Sequence, residues 1–258
     1  MSIETIESLF RITTRARKFW KIAAGFPPNK EEVYADHATA QEFDLWGERA
    51  RDDNAPPLTA LEYGCGGGSD TISYLTRGLR VVAVDINPSN VATTATRVRD
   101  HARGLEFAER HAVWLLEHSD KIQPVGGLAG EVDTGLRPPF DVASSHGVLH
   151  HIPQPLVGKV VAEIYRVLRP GGWFYAMLYT PELRNNHADA IETLTRRHGI
   201  AAEEAFGWCT DGEGCPWAEA YSHREAELLF EEAGFEVRSS FEYSDGFFCT
   251  YRMTKRKR

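Results

Sequence analysis

The apolar positions of this chain change their period near Pro56-Pro57. Before that point, Phe10, Phe19, Trp20, Phe26, Phe43 and Trp46 fall between charged residues in helical stripes that Pro27-Pro28 interrupts. Residues 1–55 therefore read as a helical N-terminal cap. After it, short and nearly continuous apolar runs alternate with amphipathic stretches, the pattern of buried strands joined by helices. The first run, residues 58–63, ends in a glycine cluster and is followed by a helix over about 69–77. A second strand spans 79–84 and ends at Asp85, and Pro88-Ser89-Asn90 opens the next helix.

Residues 90–122 read as mainly helical, with a short third strand expected at 128–132, beyond Gly126-Gly127. Residues 140–145 are the fourth strand. Residues 155–168 form an amphipathic helix with Val157, Val160, Val161, Ile164, Val167 and Leu168 on one side. Pro170-Gly171-Gly172 stops it, and 173–179 is the fifth strand. Residues 181–222 break the alternation and read as an insertion with much loop, rich in Gly and Asn around Trp208 and Trp217. A helix over 223–233, ended by Gly234, leads into a hairpin of 235–241 and 247–253 around Ser244-Asp245-Gly246. The expectation is an α/β fold: a seven-stranded, mostly parallel sheet with right-handed crossovers and a C-terminal antiparallel hairpin. One domain, 56–258, would carry the cap 1–55 and the cap insertion 181–222.

Composition narrows the function. The 258 residues carry a formal charge of −8, which does not suit a nucleic-acid partner, because phosphate binding needs clustered Lys and Arg. The dense basic run Lys255-Arg256-Lys257-Arg258 reads as a solvated tail. No apolar run approaches the roughly 20 residues of a membrane helix, and the first ten residues lack the order of a signal peptide. A cytoplasmic location is expected, with no membrane partner; a homodimer is left open. The four cysteines, Cys65, Cys209, Cys215 and Cys249, make no disulfide framework at this length.

The first chemical signal is Leu61-Glu62-Tyr63-Gly64-Cys65-Gly66-Gly67-Gly68-Ser69-Asp70, set between a strand and a helix. An open α/β sheet binds nucleotide-like ligands there, and glycine lets the backbone approach the ligand. Asp85 follows about 20 residues on, where a carboxylate can take both hydroxyls of a ribose. The sixth position counted from Gly64 is Ser69, so the dinucleotide fingerprint is not met, and there is no Walker lysine. Glu62 beside the loop is a poor neighbour for a pyrophosphate and a good one for an ammonium group. A ligand with adenosine at one end and an amino acid at the other fits better.

The glycine segment and Asp85 resemble motif I and the motif II acid of class I S-adenosylmethionine-dependent methyltransferases. The resemblance continues through Phe140-Asp141-Val142, the run from Gly147 to Pro153 and the run from Glu163 to Gly172. It is strongest to a bacterial small-molecule branch, type 11-like, which tends to carry a stretch like Asp211-Gly212-x-Gly214-x-Pro216. It implies a Rossmann-like frame and S-adenosylmethionine as cofactor. Gly64, Gly66 and Gly68 would line the methionine part, with Glu62 near its amino end. Asp85 would hold the ribose, Ile86 would pack on the adenine, and Asp133 with Thr134 would meet the adenine amino group. An insertion of some twenty residues precedes Asp133 and departs from the family pattern.

Methyl transfer is an in-line displacement in which positioning supplies most of the catalysis; a base is needed only for a protonated, weakly acidic nucleophile. His146, His150 and His151 cluster after the fourth strand, and the resemblance favours His150 as that base. They could equally shape the cofactor site. No metal is assigned, because further ligands cannot be placed beside the histidines, and Cys209 and Cys215 lack a standard zinc spacing. Trp20, Tyr34, Phe43 and Trp46, with Phe206, Trp208, Trp217 and Tyr221, would flank an acceptor pocket or form the cap core. The function expected is methylation of an oxygen or nitrogen of a small-molecule acceptor. A different S-adenosylmethionine enzyme on the same frame, or a silent methyltransferase-like binding subunit, are the alternatives.

Overall fold

The computed structural model describes residues 58–85, 87–102, 113–117 and 139–256. The expected cap 1–55 and the expected strand 128–132 lie outside them. The first half alternates strand and helix: β1 (Thr59–Tyr63), α1 (Ser69–Thr76), β2 (Arg80–Asp85), α2 (Pro88–Ala102) and β3 (Val113–Glu117). Then come β4 (Phe140–His146), a 3-10 turn (Leu149–His151), α3 (Gln154–Val167) and β5 (Leu168–Tyr179). Helices α4 (Pro181–Asn186), α5 (Ala188–His198), α6 (Ala202–Asp211) and α7 (His223–Glu232) precede β6 (Phe235–Tyr243) and β7 (Phe248–Lys255).

The strands form one mixed sheet in the order β3-β2-β1-β4-β5-β7-β6. β1 pairs in parallel with β2 on one side and β4 on the other, so the strand order reverses between β1 and β4. A crevice opens at such a reversal, beyond the carboxyl ends of the strands. β7 is inserted antiparallel between β5 and β6. The hairpin turn places Ser244, Asp245 and Gly246 all at positive φ, a conformation that short polar residues and glycine tolerate.

Alternation along the strands sends side chains to two cores. Leu61, Val82, Val84, Phe174 and Tyr251 pack with α3 and α7 through Val160, Ile164 and Phe230. Ala60, Val81, Ala83, Val142 and Tyr175 pack on the other face with Tyr74, Leu75 and Leu79. Ser222 starts α7 with a reciprocal capping box to Glu225.

Three expectations are corrected. Residues 113–117, read as helical, form β3, which pairs in parallel with β2. A run of four apolar residues ending in Glu117 carries no period that separates strand from helix. Residues 181–222, read as loop-rich, hold three helices around Tyr179, Leu183, Ile191, Ala205 and Phe206. Lys255 is no part of a free tail: its Nζ donates to the carbonyls of Tyr165 and Leu168, each at 2.7 Å, at the carboxyl end of α3.

Candidate functional site

The glycine loop sits at the strand-order reversal. β1 ends at Tyr63, and the Gly64 and Cys65 amides then donate to the Val84 carbonyl at 2.8 and 2.9 Å, tying the loop to β2. Gly64, Gly66 and Gly68 have φ of 88, 49 and 82°, a region where a Cβ is penalised. Space also demands glycine: a Cβ on Gly64 would lie 2.1 Å from Val148 Cγ2, and one on Gly68 would lie 2.7 Å from Thr94. Thr94 Oγ1 donates to the Gly66 carbonyl at 3.0 Å, and Arg97 donates to the Gly67 carbonyl. Gly68, at the N-cap of α1, has no side chain with which to cap the first-turn amides of that helix.

Asp85 ends β2 and is buried. Its Oδ2 accepts the Gly66 N–H at 2.8 Å and its Oδ1 the Asn87 N–H at 2.7 Å. Burial raises its proton affinity, and the hydrogen bonds from Asn87, Gly66 and Asn90 oppose that. Glu62, one residue before the end of β1, is buried and accepts the Thr71 hydroxyl. Burial first, then the charges of Asp70 and Asp85, push its carboxyl well above the usual range. The loop is thus flanked by acids that a cation would stabilise.

The three histidines occupy different environments. His146 Nδ1 pairs with Asp70. His150 is fully buried, stacked on Tyr179 with ring centroids 3.5 Å apart and edge-on to His151 at 4.3 Å. Neither of its ring nitrogens has a hydrogen-bond partner among the described residues. Burial, then the neighbouring His151, pull its proton affinity well below the ordinary histidine value, so it is held neutral. His151 Nδ1 meets the Trp217 carbonyl at 3.1 Å, and its Nε2 faces Asp211 Oδ2 at 3.5 Å. The spacing of the His150-His151 pair gave no sign that Asp211 would face it, because that contact bridges the 3-10 turn and the end of α6.

Among the residues expected at the site, Glu62, Gly64, Gly66, Gly68, Asp85, His146, His150 and His151 are gathered at this sheet edge. Ile86, Asp133 and Thr134 lie outside the described residues, as do Trp20, Tyr34, Phe43 and Trp46. Phe206 and Tyr221 are buried in packed clusters. Trp208 and Trp217 are half-buried. The sequence reading missed Thr71, Thr94 and Asn90, which brace the loop and Asp85 from the helices. Their signal is weak, since small polar residues on helices are common. No helix among the described residues is long and apolar enough to cross a membrane.

Known proteins share this architecture. The chain is 30% identical over 115 residues to a ubiquinone biosynthesis O-methyltransferase of Caulobacter vibrioides, covering 45% of this chain and 38% of that one. It is 25% identical over 243 residues to sterol methyltransferase-like 3 of Botryococcus braunii, covering 93% of this chain and 54% of that one. The chain thus spans about half, or less, of the length of these relatives. Among solved structures, magnesium protoporphyrin IX methyltransferase from Synechocystis PCC 6803, with bound SAH, superposes with a TM-score of 0.56 at 16% identity, over 98% of this chain and 99% of that one. A family described as a methyltransferase domain matches residues 35–240, most of the sequence and all of the glycine loop, and this chain belongs to that family.

Proposed function

We propose that this chain transfers a methyl group from S-adenosylmethionine to an oxygen or nitrogen of a small-molecule acceptor. The observation that carries the reading is the glycine loop between two buried acids, Glu62 and Asp85. The donor set suits the cofactor at each point. Asp85, fixed by two backbone amides, takes the ribose hydroxyls. Glu62 takes the amino group, whose positive charge offsets the mutual repulsion of the acids. The first-turn amides of α1, which Gly68 cannot cap, would meet its carboxylate. When bound, the cofactor supplies a methyl group activated by a sulfonium.

The chain's own residues then position and protect. His150 is the base we assign for an acceptor that starts protonated, because its neutral imidazole has an uncommitted lone pair among the described residues. His146, oriented by Asp70, borders the loop. The relatives' names, an O-methyltransferase and a sterol methyltransferase-like protein, support small acceptors without choosing the atom. In this reading residues 1–55 and 181–222 cap the acceptor side of a seven-stranded Rossmann-like domain over 56–258, and exclude water during transfer.

Calorimetry tests the proposal. S-adenosylmethionine and its demethylated product should bind, and NAD should not. Asp85→Ala should weaken binding at least tenfold, about 1.4 kcal/mol; unchanged affinity removes Asp85 from the site. His150→Ala should lower turnover while cofactor affinity stays within about twofold.

A further inference from the structure

The sequence placed no metal ligands beside the histidine pair, but the fold brings two. Asp211, the last residue of α6, and Cys215, four residues on, converge on His151, and the three candidate ligand atoms all lie within 4.8 Å of one another. All three are withdrawn from solvent. Cys215 is fully buried, and the side chains of His151 and Asp211 are 6% and 8% exposed.

Distance separates two readings of the cluster. The Trp217 carbonyl can only accept, so the 3.1 Å contact places a hydrogen on His151 Nδ1. In the neutral ring, Nε2 then presents its lone pair toward Asp211 Oδ2, 3.5 Å away. That is longer than the roughly 2.7–3.2 Å of an N–H···O hydrogen bond. Two ligands on a tetrahedral zinc ion, with bonds of about 2.0–2.2 Å, sit roughly 3.3–3.6 Å apart. The gap therefore also fits two ligands of one cation, and Cys215 Sγ, which donates to the Trp217 carbonyl at 3.5 Å, would turn from that carbonyl to complete the set.

The surroundings are those of a held ligand set. A histidine ligand commonly donates its second ring N–H to a carbonyl, as His151 does. Thr210 Oγ1 donates to Asp211 Oδ2 at 2.6 Å, and the Tyr179 hydroxyl lies 3.5 Å from the same oxygen. The backbone between the two distal ligands is pinned by Gly212 N–H to the Trp208 carbonyl at 3.2 Å and Cys215 N–H to the Gly212 carbonyl at 3.1 Å. Cys215 Sγ packs over Gly207, where a Cβ would come within 2.9 Å.

We propose that His151, Asp211 and Cys215 bind one divalent cation of the zinc class. Imidazole, carboxylate and thiolate together select a borderline metal over magnesium or calcium. Binding displaces the Cys215 thiol proton to solvent and leaves a fourth position for water. The site lies at the edge of the sheet that carries the glycine loop, because Val148, which opens the 3-10 turn of His151, packs on Gly64. It does not depend on the methyl-transfer reading.

The test uses the full untagged chain, stripped with a chelator, loaded with Zn2+ or Co2+ and desalted. We expect about one metal per chain and, with Co2+, a thiolate-to-metal charge-transfer band. Cys215→Ser should abolish that band, whereas Cys209→Ser should keep it. Asp211→Asn and His151→Gln should each weaken Zn2+ affinity at least tenfold. Wild-type chain that retains no metal overturns the proposal, whatever the variants do; so does retention that is equal in the wild type and in Cys215→Ser and Asp211→Asn. Calorimetry with S-adenosylmethionine on the same material reads the methyl-transfer proposal separately.

Discussion

Gly64→Ala tests whether the glycine loop is built by backbone geometry together with contact from Val148, just beyond β4. The residue sits at φ 88°, and a Cβ there would lie 2.1 Å from Val148 Cγ2 and 3.0 Å from its Cβ. The left-handed backbone costs an alanine about 1–2 kcal/mol. Forcing Val148 aside is an overpacking event of about 1–3 kcal/mol. The expected loss is therefore about 2–5 kcal/mol. Gly199 is the internal control, because it caps α5 at φ 65° with nothing within 4 Å of its would-be Cβ. Gly199→Ala should lose only the backbone part, less up to about 1 kcal/mol regained by stiffening the unfolded chain. Urea unfolding measures both, with stability taken from the midpoint at constant slope. Val148→Ala in the Gly64→Ala background should recover about 1–3 kcal/mol relative to additivity. Losses for Gly64→Ala and Gly199→Ala that agree within about 0.5 kcal/mol, or a double variant without coupling, would refute a steric role for Val148.

The acids of the loop predict a pH signature. The Glu62 carboxyl has a raised proton affinity in the folded chain, so the folded state holds a proton that the unfolded chain releases above about pH 4.5. Its stabilising contribution is full below that pH and is lost as pH rises through the folded value, by about 1.4 kcal/mol per pH unit at most. Glu62→Gln, which keeps an acceptor for Thr71, should gain stability over wild type between pH 4.5 and 7 while losing cofactor affinity. A stability difference that is flat over this range would refute the assignment. At the start of α7, Ser222→Ala removes one arm of the capping box and should cost about 1 kcal/mol in thermal unfolding; Ser222→Asp should restore most of it.

The sequence by itself determined the elements whose signals are local. The strands at Thr59–Tyr63, Arg80–Asp85 and Phe140–His146 stand as apolar runs bounded by breakers, and the C-terminal hairpin is announced by Ser244-Asp245-Gly246. The glycine loop was legible for the same reason, since positive φ selects glycine wherever the rest of the chain goes. Asp85 was legible because one strand–helix–strand unit fixes its distance from that loop.

The tertiary structure alone decided what depends on neighbours distant in the chain. Whether Val113–Glu117 is strand or helix follows from the free edge of β2 that it pairs with. The burial of His150 follows from Tyr179, whose ring covers it from the end of β5. The meeting of His151, Asp211 and Cys215 needs α6 to be docked against Tyr179 through its Phe206. Lys255 reads as tail until β7 carries it to the end of α3. In each case the deciding energy is a pairing or packing between segments far apart in sequence, and a one-dimensional pattern holds no record of which segments will touch.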